Sequence, residues 1–302
     1  MKSQRGFTLI EGIVVMVITS ILAGIMVLFI RRPVQSYIDS AERADMADVA
    51  EIALRRMTRE LHGAVPNSIR WVENGNITLL EFIPTKAGGI YLAEEDAPVA
   101  PAQALSFTNL NALSFSIVGP VPAAPYAIAP GDSIIVYNLG NEIVDADAYV
   151  GGNRGTVTAV AGNLVTITDP NWPPPNAARN PFAVPAANHR VANTSPGKRF
   201  TVATAPVTFA CVNDTANGRG SLVRYWGYGF RAAQTDPSTV GASSALMAAN
   251  VYACRFSVQQ MANQNTALIG LSIALARRSA GASANGLETV TLSHQIHVEN
   301  TP

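Results

Sequence analysis

Charge is scarce in this chain. Only 14% of its 302 residues are charged, and the 21 Lys and Arg balance the 21 Asp and Glu. A nucleic-acid partner calls for a basic patch or stripe, and this composition offers none. There are four histidines and two cysteines. The sequence contains no Gly-x-Ser-x-Gly elbow, no Cys/His dyad in a useful context and no evident pair of catalytic carboxylates, so it points to no enzyme. EF-hand spacing and internal repeats are absent as well. Glycine (23) and proline (19) are plentiful, as are Ala, Asn and Thr. That mixture suits an extracytoplasmic, β-rich domain with long loops.

The scarcity of charge is greatest near the amino terminus. From Phe7 to Ile30 the single charged side chain is Glu11. As a helix this run extends about 36 Å at 1.5 Å per residue, enough for a hydrocarbon core of about 30 Å. Lys2 and Arg5 precede it and predict a cytoplasmic amino terminus with the remainder outside. Arg31 and Arg32 at the far end are expected to reach headgroups by snorkelling. The run is too long for a secretory h-region, and Glu11 is wrong for one. A plain anchor fits the length but leaves Glu11 without a purpose. A carboxylate at membrane depth is costly and is kept where something pairs with it.

Gly6-Phe7-Thr8-Leu9-Ile10-Glu11, behind a short basic leader and ahead of an unbroken apolar run, resembles the amino-terminal signature of type IV pilins and pseudopilins. The resemblance implies cleavage after Gly6 by a prepilin peptidase and methylation of the new amine on Phe7. It implies that Glu11 pairs with the terminal amine of a neighbouring subunit. A buried carboxylate and a buried ammonium are each costly alone and largely cancel together. The implied partners are other major and minor pilins, the peptidase and an inner-membrane assembly platform. The implied location is the inner membrane, single-pass with a periplasmic head, and then the pilus. In that family the helix between a glycine and a proline such as Gly24 and Pro33 loosens in the filament.

Taken in order, residues 1–6 read as the leader, 7–32 as the transmembrane and polymerisation helix, 33–63 as an amphipathic helix and 64–302 as a β-rich head. Pro33 should kink the helix. Met46, Val49, Ala53, Met57 and Leu61 recur at helical spacing, with Glu51–Arg55 and Arg56–Glu60 as i,i+4 pairs. Gly63 and Pro66 supply a stop. Short alternating runs then predict strands over Ile69–Glu73, Ile77–Ile83, Leu113–Val118, Ser133–Tyr137, Thr156–Val160 and Leu164–Thr168. Phe200–Ala203, Val207–Val212, Leu222–Tyr228, Tyr252–Val258, Ala267–Ala276 and Leu287–Val298 follow. Ala97–Pro130 and Asp169–Pro196 read as loops of a Pro/Ala-rich insertion over about 97–196. The predicted fold is α+β: one long helix packed on a mostly antiparallel head.

A second resemblance is spread more thinly. Arg56–Leu61 with Val65–Arg70, Leu80–Pro84, Gly89–Leu92 and the closing His294–Pro302 are similar to one group of minor pilins that act in biogenesis of the mannose-sensitive haemagglutinin pilus.

Cys211 and Cys254 lie in strand-like runs, each on the apolar alternating face. In an oxidising compartment they are candidates for one disulfide, which would stabilise by about 4 kcal/mol in the chain-entropy model. The alternative is two unpaired buried thiols. His294 and His297 lie three apart on a strand and point to opposite faces, so they cannot chelate one ion. His294 reads as a core residue and His297 as a surface one. Asp145 and Asp147, with Asn141 and Glu142, form a loop of oxygen ligands and the one weak calcium candidate. Otherwise no metal or cofactor is implied. Glu94-Glu95-Asp96 is a weaker version of the same pattern. Gly227–Ala232 imitates a dinucleotide fingerprint but reads as a turn with exposed rings. Trp226, Tyr228 and Phe230 there suit sheet-face packing better than a carbohydrate platform.

Overall fold

The computed structural model describes residues 6, 8–96, 103–140, 143–171, 178–184, 194–260, 266–279 and 286–301. One long amino-terminal helix and an antiparallel β head make an α+β fold. Helix α1 covers Leu9–His62. Its backbone stays helical through Pro33, so the expected kink is not a break. Proline removes one donor and crowds one carbonyl, and the turns on either side hold the helix together.

The chain divides into two compact units after Val49. In the second, the end of α1 buries Ala50, Ala53, Leu54, Met57 and Leu61, a stripe at i, i+3, i+4, i+7 and i+11. Each of the larger side chains is worth about 1.5–3 kcal/mol on burial. The buried stripe keeps Ala53, Met57 and Leu61 from the sequence pattern and adds Ala50 and Leu54. Val49 is 40% exposed instead.

The main sheet has seven strands in the order β1 (Arg70–Asn74), β2 (Ile77–Phe82), β9 (Val207–Val212), β10 (Gly220–Trp226), β11 (Ser243–Gln260), β12 (Thr266–Arg278) and β13 (Leu287–Glu299). Every pairing in it is antiparallel. Register puts Leu80, Phe209 and Arg224 side by side across β2, β9 and β10, and Phe256, Leu271 and His294 across β11, β12 and β13. Directly opposed residues share a face. Arg224 bonds Glu60 of α1 and His294 bonds Glu51, so this is the face that α1 covers. Phe82 and Phe209 stack there with ring centroids 5.6 Å apart.

The connection between β2 and β9 is not an ordinary loop. It contains β3 (Thr85–Tyr91), β4 (Ser114–Val118), β5 (Ser133–Ile135), β6 (Arg154–Ala161), β7 (Leu164–Thr168) and β8 (Arg199–Ala203), which close into a barrel in the order β3-β4-β7-β6-β5-β8. Of the stretches expected as loops, Ala97–Pro130 carries β4 at the expected Leu113–Val118, and both it and Asp169–Pro196 send side chains, Leu105 and Phe182 among them, into the barrel's own core. Phe115, Phe200, Tyr91, Leu105, Ile134 and Val165 fill it. Phe115 and Phe200 meet edge to face at 5.5 Å. Gly89 makes the space: a Cβ there would lie 2.6 Å from the Phe200 ring. Residues 97–102, 172–177 and 185–193 of the same stretch lie outside the described residues.

Barrel and sheet are joined by a small apolar cluster of Val65, Ile83, Ile135, Ala148, Tyr149 and Ala203, with Phe230 against it. Asn67 Nδ2 donates to the Asn138 carbonyl at 2.9 Å, and Asn138 Nδ2 returns a bond to the Pro66 carbonyl at 2.7 Å.

Candidate functional site

The amino-terminal half of α1 is built to be buried by something other than its own chain. Leu9, Ile10, Met16, Met26 and Phe29 are each more than 60% exposed, at 83, 72, 71, 64 and 79%. None of the eighteen residues in the most apolar window is buried. A contiguous apolar surface of this size marks a protein or membrane interface. The hydroxyls within it are already satisfied. Thr19 Oγ1 donates to the Val15 carbonyl at 2.8 Å, and Ser20 Oγ to that of Met16 at 2.7 Å. Back-bonding of this kind removes the cost of a bare hydroxyl in hydrocarbon.

Glu11 sits in the first turn of α1 and is exposed. Its backbone N–H donates to Thr8 Oγ1 at 3.4 Å, and the Gly12 N–H donates to the Thr8 carbonyl at 3.2 Å. Thr8 thus caps the helix. Thr8-Leu9-Ile10-Glu11 has the spacing of a capping box, a local signal that the sequence reading passed over. The carboxylate stands at the positive end of the helix dipole, where negative charge is favoured. Gly6 is exposed. Phe7, Lys2 and Arg5 lie outside the described residues.

Lower on α1, two ionic contacts fix the helix to the sheet. Glu60 Oε2 accepts from Arg224 Nε at 2.8 Å, and its Oε1 accepts from Arg56 Nε at 3.1 Å. Glu51 Oε2 lies 3.0 Å from His294 Nε2, while its Oε1 accepts from Arg55 at 2.5 Å. The Arg55 bond, and after it His294, hold the Glu51 carboxyl below the ordinary carboxylate range. His294 is therefore not a core histidine but a half-buried partner of the helix. His297 is exposed.

Cys211 of β9 and Cys254 of β11 are bonded, with S–S 2.06 Å and Cα atoms 6.2 Å apart. They reach each other past the end of β10. Gly220, the first residue of β10, lies where β9 and β11 converge: a Cβ there would be 2.1 Å from the Val212 carbonyl oxygen and 2.5 Å from that of Val251. Asn213 Oδ1 accepts from the Cys254 N–H at 2.8 Å beside the bridge.

A buried polar network, missed in the sequence, lies on the opposite face of the sheet. Arg70 Nε donates to Glu81 Oε2 at 2.6 Å, and its terminal nitrogens donate to the carbonyls of Ala232 and Arg231 at 2.7 and 2.8 Å. The guanidinium lies 3.6 Å above the Tyr149 ring. Tyr228 Oη donates to Glu81 Oε1 at 2.8 Å and shares a hydrogen bond with Thr208. Burial pushes the phenols of Tyr149 and Tyr228 well up, reinforced by the Glu81 charge. Tyr228 is thus buried rather than an exposed ring. Phe230 stacks under Arg154 at 3.8 Å, and burial draws the Arg154 guanidinium down to about 10. Trp226 stays 36% exposed near Arg224. The three rings point into three different environments and form no common platform.

Asp147 is buried, and its Oδ1 accepts from the Tyr149 N–H at 2.8 Å. Burial pushes its carboxyl up, against that bond. Such a carboxyl is committed to its own turn. Asn141 and Glu142 lie outside the described residues, and among the described residues no three Asp, Glu, His or Cys side chains gather as a metal site. Glu95 and Asp96 pair with Lys198, Glu95 at 3.1 Å.

Residues 1–27 match the family model described as the prokaryotic N-terminal methylation motif. No curated protein and no solved structure matches the chain. The motif supports a type IV pilin-like or pseudopilin protein, processed by a prepilin peptidase and assembled with other pilins. It suggests a structural rather than an enzymatic role. Together with the apolar helix, it fits membrane anchoring.

Proposed function

We propose that this chain is a minor type IV pilin of the MshO type, which takes part in pilus biogenesis. One observation carries the reading: a methylation motif heads a helix whose most apolar eighteen residues bury nothing within the chain. In this reading the leader is removed after Gly6, Phe7 becomes the methylated terminus and Glu11 meets the amine of a neighbouring pilin. Before assembly the chain is held in the inner membrane with its head in the periplasm. The oxidising periplasm suits the Cys211–Cys254 bond. Support for the MshO type comes from the helix exit, Leu80–Pro84, Gly89–Leu92 and the closing segment.

Mass spectrometry of the mature protein tests the processing step. The expected product begins at methylated Phe7, whereas a chain still beginning at Met1, or one beginning beyond Ile30, overturns the reading. A second reading, a pilus-tip adhesin, is favoured by the closed barrel set into the β2–β9 connection. Deleting the gene separates the two. A biogenesis subunit is needed for pili to form, whereas an adhesin is needed only for attachment.

A further inference from the structure

Two arginines are buried where the barrel meets the sheet, and they are satisfied differently. Arg70 has its whole guanidinium occupied: Nε meets Glu81, the terminal nitrogens meet two carbonyls, and Tyr149 covers one face. Arg154 opens β6 and stands opposite Ile135 of β5, which belongs to the junction cluster. It is only 7% exposed. Phe230 covers one face of its guanidinium, and Nε donates to the Ala148 carbonyl at 2.8 Å. Among the described residues, Nη1 and Nη2 of Arg154 have no acceptor.

Two acids attract Arg154 without bonding it. Asp169 and Asp147 both favour its charged form. Asp169 Oδ2, however, accepts from Arg179 at 2.7 Å, and its Oδ1 accepts from the Asn171 N–H at 2.8 Å. Asp147 Oδ1 is taken by the Tyr149 N–H. A buried cation with N–H groups left over is an exception among buried polar groups and calls for an acceptor. A second donor stands at the same place. A Cβ on Gly151 would lie 3.3 Å from Arg154 Nη2 and 2.7 Å from Asn171 Nδ2, so both nitrogens stand over Gly151, where there is no side chain to screen them. Asn171 Nδ2 spends one hydrogen on the Val150 carbonyl at 2.8 Å and keeps the other. Asn171 is exposed, which puts it at the rim.

We propose that Arg154, with Asn171 at the rim, binds the carboxylate group of a small-molecule ligand. The proposal concerns the head alone and does not depend on the pilin reading. The fork of Nη1 and Nη2 matches the two oxygens of a carboxylate. Asp147 and Asp169 nearby make a second negative charge costly, which favours a monocarboxylate over a phosphate dianion. The depth of the guanidinium admits a slim group and keeps out the broad surface of a protein partner.

The test titrates sodium acetate into the full-length, detergent-solubilised chain at neutral pH and constant ionic strength, followed by saturation-transfer NMR and calorimetry. The expected result is saturable, one-to-one binding. Arg154→Met should weaken it about tenfold or more. Arg154→Lys keeps the charge but not the fork and should fall between the two. Asn171→Ala, on the exposed rim, should weaken binding about threefold or more with the Cys211–Cys254 bond intact. It carries the test if neither Arg154 variant folds. Arg255→Met removes an exposed cation from β11 and should leave binding unchanged. Absence of saturable acetate binding overturns the proposal, since water alone then satisfies the donors. So does binding indifferent to the folded Arg154 variants, or to Asn171→Ala where those do not fold. Equal loss in Arg255→Met, or tighter binding of inorganic phosphate than of acetate, overturns it as well.

Discussion

His294 Nε2 stands 3.0 Å from Glu51 Oε2, so a strand near the carboxyl end of the chain is tied to the amino-terminal helix. Two residues separated by 243 positions thus hold the Ala50–His62 part of α1 on the sheet. The Glu60–Arg224 contact holds the same helix at its far end. The Ala50–His62 part of α1 is thereby coupled to the sheet by charge as well as by packing.

This coupling has a definite acid dependence. The folded Glu51 carboxyl titrates below its ordinary value of 4.5, chiefly because of its bond to Arg55. A depressed carboxyl contributes stability above the unfolded pKa and loses it as pH falls through the folded pKa. The contribution is therefore present in full at neutral pH, and its loss begins below about 4.5. Glu51→Gln should flatten that part of the acid limb, measured by thermal unfolding of the detergent-solubilised chain at stepped pH.

The Arg70–Glu81 pair is nearly enclosed, with side chains 10% and 3% exposed. Arg70→Met should destabilise the head by about 3–5 kcal/mol, because Glu81 is left buried without its cation. Arg70→Met combined with Glu81→Leu should recover part of the loss. Urea unfolding of the single and double variants measures both, and a double variant worse than Arg70→Met would count against a charge penalty as the cause.

Gly220 has no room for a methyl group. Its Cβ would collide with backbone oxygens of Val212 and Val251, neither of which can swing aside. Gly220→Ala should therefore cost about 3 kcal/mol or more through overpacking. It should also lower the yield of the oxidised Cys211–Cys254 form, measured by thiol labelling of the denatured, unreduced protein.

Glu11 is expected to act only between subunits. Its lone carboxylate costs about 2.5–3.5 kcal/mol at membrane depth on insertion scales. Glu11→Ala should leave insertion intact or slightly improved, leave the head oxidised and weaken entry into the pilus. Fractionation, thiol labelling and probing of sheared fibres read the three outcomes. Wild-type incorporation would leave α1 as a plain anchor.

Local pattern made several elements readable. Leu164–Thr168 and Val207–Val212 are alternating, β-branched runs between turn residues, and the strands occupy those bounds. Two hairpins turn on Gly75-Asn76 and Gly162-Asn163, with Gly φ of 61° and 62°. Strand β3 was not readable. Thr85-Lys86-Ala87-Gly88-Gly89-Ile90-Tyr91 contains two glycines and little β propensity, and it is held by β4 and β8 on its two sides. The first half of β11, from Ser243, was hidden for the same reason: its small residues show no clear alternation until paired with β10.

By itself the sequence determined the amino-terminal motif, the apolar run with its single acid, the helix end at His62 and the presence of many strands. These rest on neighbours in the chain: periodicity, caps, turns and charge placement. Tertiary structure alone decided that β3 to β8 close into a barrel, and that Arg70 meets Glu81 under Tyr149. It also decided that His294 reaches Glu51. Those outcomes depend on which strands become neighbours. That choice is made by burying apolar faces and pairing backbone groups across long separations, and no local window of residues contains it.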